Sequence, residues 1–407
     1  MMRQTAAIFL DSYRELNSRK LFWVAIGISG LIVAAFACTG INAQGLTFIT
    51  WTLPIPFIGS FFTPELFYKW AFINIGVKFW LSWIAMGLAL LSTASVFPDF
   101  VANGSIELSL SKPIGRLRLF LTKYAAAMLF ATLQVATFTI ASFLVIGIRG
   151  GAWEWRIFLA IPIVVLVFSY VYCVCVMCGL LTRSTIFSLL AAGLFWLFLF
   201  LLNLADQGTL AFKAQTQAEI AQSERTLPRM QENARKTIAK TLALNDPSIQ
   251  LPAYSDDAKA GNPTDADLAL ANPMLATRQK SLAEKKELLE TITKWNTGFV
   301  IGKAILPKTT ETTSLLDRSL LSEDDIKRIR MGDEPEAQPV VIEDETPNPT
   351  ETREQRQQRR REIQADAAGR VEQALRSRSL WYVIGGSLAF EAVILSFCAW
   401  FFSRRDF

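Results

Sequence analysis

Three features of this 407-residue chain invite a chemical reading: a cysteine cluster, a carboxylate inside an apolar run, and a pair of glycines ahead of a lysine. Cys173-x-Cys175-x-x-Cys178 suggests a metal site, but on a helix advancing about 100° per residue the first two thiols point to opposite faces. All five cysteines fall in apolar runs, where cysteine packs as a small hydrophobe, so packing is their expected role. Gly298-Phe-Val-Ile-Gly302-Lys303-Ala304 is one residue short of a phosphate-binding loop and has alanine where such a loop needs a magnesium-ligating hydroxyl. The chain has no histidine, which removes the Ser–His–Asp triad, His-ligated zinc or haem, and any imidazole base. No catalytic residue and no metal site are expected.

The carboxylate is Glu391, near the middle of the apolar run 380–402. An ionisable group at that depth costs at least about 2.5 kcal/mol unless it is paired or hydrated. Lys78 is a candidate partner by charge, and Gln134 could donate a hydrogen bond. Three roles stand open for Glu391: polar glue between helices, a place on a substrate path, or an isolated protonated acid.

The elements that must position these groups follow from composition. The chain is 51% hydrophobic and only 19% charged, which is the composition of a membrane protein. The charge is concentrated: residues 205–378 hold 26 of the 41 Lys and Arg and 28 of the 36 Asp and Glu. That window is nearly neutral, and the other basic residues flank apolar runs, so nucleic acid is not an expected partner and a lipid membrane is. Six runs suffice to cross a bilayer, at 21–41, 71–97, 119–147, 157–181, 185–204 and 380–402. The expected fold is all-α and polytopic, with six transmembrane helices.

Residues 1–20 carry Asp11 and Glu15 and lack a short apolar core with a cleavage site, so a signal peptide is not expected. They read instead as a cytoplasmic amphipathic interfacial helix. Residues 45–67 are almost uncharged but broken by Pro54, Pro56, Gly59 and Pro64, and are expected to form an interfacial or re-entrant loop. On that basis eleven basic residues of the short segments fall on one side and Lys69, Arg149 and Arg156 on the other. The imbalance places both termini in the cytoplasm, in a cytoplasmic (inner) membrane, with 205–379 outside.

The cytoplasmic segment 98–118 is unlike a passive linker. One or two helical turns over 105–111 would present Ile106, Leu108 and Leu110 as apolar contacts beside Glu107, before Pro113 ends the helix and Arg116 anchors the next span. Gly104, Ser105, Glu107, Leu110, Ser111, Pro113 and Arg116 match the Gly-Ser/Thr-x-Glu-x-x-Leu-Ser-x-Pro-x-x-Arg run of ABC-2 type transporter permeases. Residues 1–204 and 380–407 resemble that family, and most of all the permeases grouped with copper-enzyme maturation transporters. The resemblance implies a membrane subunit that forms half of a translocation pathway, pairs with a second permease subunit as a homodimer, and is driven by a separate ATPase docked on this coupling helix. ATP and magnesium would be bound by that partner, leaving no cofactor on this chain.

The insert 205–379, between helices 5 and 6, departs from the family's short connection. Helices are expected over 211–244 broken at Pro228, over 265–305 broken at Pro273, and over 351–378 running into the last span; 333–350, rich in proline and acid, reads as a mobile linker. The apolar stretch 295–307 lies either on the outer leaflet or in the core of this outer domain. The insert raises an alternative function, a membrane-anchored scaffold whose outer helical domain organises extracytoplasmic partners.

Overall fold

A computed structural model describes residues 14, 20–42, 45–48, 51–53, 63–102, 115–243, 254–322, 325 and 353–404. The interfacial helix 1–20, except Arg14 and Lys20, and the linker 333–350 lie outside the described residues. Among the described residues six helices are long and apolar enough to cross a membrane: α1 (Lys20–Cys38), α2 (Pro64–Val101), α3 (Arg116–Gly150), α4 (Trp155–Thr182), α5 (Thr185–Ala243) and α11 (Trp381–Arg404). Four of them contain the expected apolar run whole; α1 stops at Cys38, where the expected run 21–41 passes into a strand, and α11 starts one residue inside 380–402.

Between α1 and α2 stand β1 (Thr39–Asn42), β2 (Gly45–Phe48) and β3 (Trp51–Leu53), an antiparallel sheet with Thr39 opposite Phe48 and Phe48 opposite Trp51. The all-α expectation is corrected accordingly: the described residues are mainly helical with one small sheet. Thr, Ile, Phe and Trp favour extended backbone, and strand pairing gives the backbone of 45–48 and 51–53 partners within the loop expected over 45–67, of which 49–50 and 54–62 lie outside the described residues. The Tyr68 hydroxyl donates to the Thr39 carbonyl at 2.5 Å, and Arg149 Nε donates to Tyr68 at 3.4 Å. The end of α1, the start of α2 and the end of α3 therefore meet, so the chain leaves and re-enters the bundle at one end.

Local chemistry sets the boundaries. Thr63 caps α2 by accepting the Leu66 N–H, with Pro64 in the first turn. Gly151, at φ +72°, closes α3 in the left-handed conformation that only glycine adopts without cost. Within α2, residues Phe72–Ala85 form a wide π-helical stretch. Its Trp80 donates to Ser29 of α1 at 3.1 Å, and both residues are buried. Lipid tails are as apolar as leucine, so close packing and hydrogen bonds such as this one hold the helices together.

The chain divides into two compact units. The first holds 1–201, 303–339 and 379–407, and has two apolar cores. One gathers Phe97, Phe120, Phe130, Phe168, Tyr172 and Phe402; the other gathers Phe72, Trp80, Phe138, Ile157 and Leu316. Leu316 comes from α9 (Thr309–Leu320), a helix not anticipated in this threonine-rich stretch. Part of the insert thus belongs to the same unit as the membrane helices. Tertiary burial of Leu316 and Leu320 outweighs the modest helix propensity of Thr.

The second unit holds 202–302 and 340–378. It contains the distal part of α5, then α6 (Asp256–Lys259), α7 (Asp265–Ala271), α8 (Pro273–Ala304, up to Gly302) and α10 (Arg353–Arg376). Pro228 does not break its helix: α5 runs through it as one element of 59 residues. Nor does α10 continue into the last span, because it ends at Arg376 before a turn and bend at 377–378. Ala214 and Ala218 of α5 pack on Ala367 of α10, where small side chains allow close approach. Glu219–Lys285 and Glu224–Lys286 ion pairs, at 2.9 and 2.8 Å, join α5 to α8.

Candidate functional site

Of the coupling residues, Gly104, Ser105, Ile106, Glu107, Leu108, Leu110, Ser111 and Pro113 lie outside the described residues. Arg116 is described and opens α3, where its guanidinium donates to the Ser403 carbonyl of α11 at 3.3 Å. The two attachment points of the segment are firmly braced. Phe97 and Phe100 near the end of α2, Phe120 in the first turns of α3 and Phe402 at the end of α11 form an aromatic cluster, with Phe97–Phe120 centroids 5.3 Å apart and Phe120–Phe402 6.0 Å apart. Lys123 lies 5.4 Å from the centre of the Phe100 ring. The residues that flank 103–114 are thus tied to α2, α3 and α11.

Glu391, Lys78 and Gln134 do not form one site. Glu391 is buried, with Tyr124 Oη of α3 at 2.8 Å from Oε1 and Ser169 Oγ of α4 at 2.9 Å from Oε2. Lys78 pairs instead with Asp317 of α9 at 2.8 Å and donates to Asn74 at 3.3 Å. Gln134 Nε2 donates to the Ala85 carbonyl at 3.2 Å, and its buried Oε1 has no partner. Pairing of Lys78 or Gln134 with Glu391 is thus corrected. Sequence could not rank the candidates, because the partners of Glu391 are two ordinary hydroxyls on separate helices.

A second polar seam was missed altogether. Lys308, almost completely buried, donates its backbone N–H to Ser387 Oγ of α11 at 2.9 Å, and its ammonium lies 4.3 Å from the centre of the Tyr382 ring. Lys303 and Glu311 form a buried ion pair. Burial pushes the Asp317 carboxyl above its ordinary range, with the Lys78 ammonium acting in the opposite direction. The only sequence signal for this seam was the charge of Lys303, Lys308, Glu311 and Asp317 around an apolar stretch, a pattern that equally describes a solvated helix.

Cys173 and Cys175 are buried and Cys178 partly so, and Cys173 Sγ donates to the Tyr170 carbonyl at 3.2 Å. Among the described residues no group of three or more Cys, Asp or Glu could hold a metal ion. Comparison with protein families, with curated proteins and with solved structures finds no match. The resemblance of the segment around Glu107 therefore rests on its own residues, and six apolar helices fit a multi-pass membrane protein.

Proposed function

We propose that the chain is the membrane-spanning permease subunit of an ATP-binding cassette transporter. It forms half of the translocation pathway, pairs with a second copy, and is driven by a separate ATPase that binds ATP and magnesium. Both termini face the cytoplasm, and the cytoplasmic segment 98–118 is the docking surface. The observation that carries this reading is the coincidence of that residue pattern with its place: it joins the braced ends of two long apolar helices, beside the end of the last. Binding energy at one short helix would thereby reach three helices at once.

The test is biochemical. The purified chain alone should hydrolyse no ATP, and affinity capture from its native membrane should recover a nucleotide-binding subunit. Substituting Glu107 and Leu110 together should lose that subunit while the chain still inserts. A complex that survives the double substitution would reject this docking surface.

The alternative, a scaffold for extracytoplasmic partners, is favoured by the second unit, whose distal end has its own core of Ala234, Ile238, Tyr254, Leu268 and Leu275. Replacing 216–288 by a short turn separates the readings. A scaffold would lose all function, whereas a permease would keep ATPase activity coupled to its partner.

A further inference from the structure

Ten of the eleven tryptophans, all but Trp295, belong to the first unit, and they sort by position. Trp80, well inside α2, is buried and gives its indole N–H to Ser29, while Trp83 lies 4.8 Å from both Trp196 and Phe200. The six that are more than half exposed stand instead at the ends of elements or between them: Trp23, Trp51, Trp153, Trp155, Trp381 and Trp400.

These six fall into two groups. Trp51 opens β3, Trp153 and Trp155 stand where α3 passes into α4, and Trp381 opens α11. The sheet is tied to the start of α2 and the end of α3 through Tyr68 and Arg149. Arg116 at the start of α3 meets Ser403 at the end of α11, so the start of α11 lies with the end of α3. Trp23 and Trp400 stand at the opposite end, with Arg404 5.1 Å from the centre of the Trp400 ring. Along α11 nineteen residues separate Trp381 from Trp400, about 28 Å at 1.5 Å per residue, which matches a hydrocarbon core of about 30 Å.

An indole pairs an apolar ring with one N–H, so it is most stable where hydrocarbon meets hydrated headgroups. At the sheet end the rings are available and the charges are not. Lys69 pairs with Glu65 and Glu154 at 2.7 and 3.2 Å, Arg149 donates to Tyr68, and Arg156 donates to the Ser319 carbonyl at 3.3 Å. Trp153 lies across Gly147, where a Cβ would come within 2.5 Å of its ring, and Phe143 stands 5.2 and 5.1 Å from Trp153 and Trp155.

We infer that the sheet end is a lipid-binding surface: Trp51, Trp153, Trp155 and Trp381 seat in the glycerol and headgroup layer of one leaflet, with the β1–β3 sheet lying in that layer. The ligand is a zwitterionic phospholipid, held through the rings and not through charge. A protein partner would require no match between the spacing of the two tryptophan groups and the thickness of a bilayer. The inference rests on the six helices crossing a membrane, and it holds whether they serve a permease or a scaffold.

Photolabelling of the full chain in phosphatidylcholine vesicles tests this, with a diazirine placed either near the glycerol or at the end of an acyl chain and the adducts located by peptide mass spectrometry. The deep probe checks the spans themselves: it should mark Leu194 and Val393, exposed on α5 and α11, and leave the sheet end unmarked. The shallow probe should mark Trp51, Trp153 and Trp155 at one end and Trp400 at the other. With Leu194 and Val393 marked, an absence of shallow adducts at Trp51 and Trp155 would place the sheet end in water or against protein, and deep adducts there would place it in hydrocarbon; either result overturns the inference. Exchanging part of the lipid for phosphatidylglycerol should leave the shallow adducts unchanged, and adducts that form only with the anionic lipid would overturn the assignment of a zwitterionic ligand. Trp51→Ala combined with Trp155→Ala, both at exposed positions, should lose shallow labelling of Phe48 while Leu194 is still marked by the deep probe. Phe48 adducts at the wild-type level would show that the rings do not seat the sheet. None of these readouts uses transport or ATPase activity, so the permease reading can fail while this one stands.

Discussion

Two buried carboxyls, one in each unit, are held by different sets of donors. Asp267, in the second unit, receives the Ser255 N–H at 2.8 Å, the Ser255 hydroxyl at 2.5 Å, and the Thr264 N–H and hydroxyl at 2.9 and 2.6 Å. Those donors hold its carboxyl well below the ordinary carboxylate range, the Ser255 hydroxyl foremost. Glu391, in the first unit, accepts from two hydroxyls on separate helices, Tyr124 and Ser169. Each donor that faces a buried carboxyl offsets part of its desolvation. In the second unit the anion is an organising centre: it completes a capping box on α7 and ties that helix to Ser255, the cap of α6.

The comparison can be broken most severely through the apolar core beside Asp267. Leu275 is fully buried there, and Leu275→Ala should cost about 3 kcal/mol. Thermal or denaturant unfolding followed by a probe in the second unit measures it. A loss below about 1 kcal/mol would mean that the carboxylate network, and not the core, holds this region.

On the Glu391 side, Tyr124→Phe removes one donor and leaves Oε1 unsatisfied, at a cost of about 2 kcal/mol. The measurement is the unfolding midpoint of the full chain in lipid. An unchanged midpoint would show that this hydroxyl does not help to hold α3 against α11.

A smaller loss, about 1 kcal/mol, is expected for Ser255→Ala, which removes both a helix cap and one of four donors to Asp267. Three donors remain, so the network should weaken without collapsing. Loss of the whole second unit in this variant would mean that the donors act as one indivisible group.

The subtlest effect is in pH. A carboxyl whose folded value is depressed contributes stability that is complete above its unfolded value and is lost as pH falls through the folded one. The second unit should therefore lose stability as the solution is acidified below the ordinary aspartate value of 3.8. Asp267→Asn should remove that component of the acid dependence, and an unaltered profile would assign the acid sensitivity to other groups.

Much of the architecture was legible because lipid imposes a simple rule on sequence. A run such as 157–181 must be a helix if it crosses hydrocarbon, since no other element satisfies its own backbone there, and α4 covers that run. Other elements were hidden for equally physical reasons. The strands around Phe48 and Trp51 are too short to carry a periodic signal. Pro228 reads as a breaker, yet one helix passes through it, because a proline costs a few kcal/mol that a long packed helix can absorb.

Sequence by itself determined the six apolar helices, the concentration of charge in 205–378, and the absence of imidazole chemistry, because these depend on residue type and order alone. Only the tertiary structure decided which polar groups meet. It set Lys78 against Asp317, Glu391 against Tyr124 and Ser169, and the α9 segment of the insert with the membrane helices. A hydrogen bond or ion pair forms over about 3 Å, and a distance that short between residues more than two hundred positions apart is a property of packing, not of spacing along the chain.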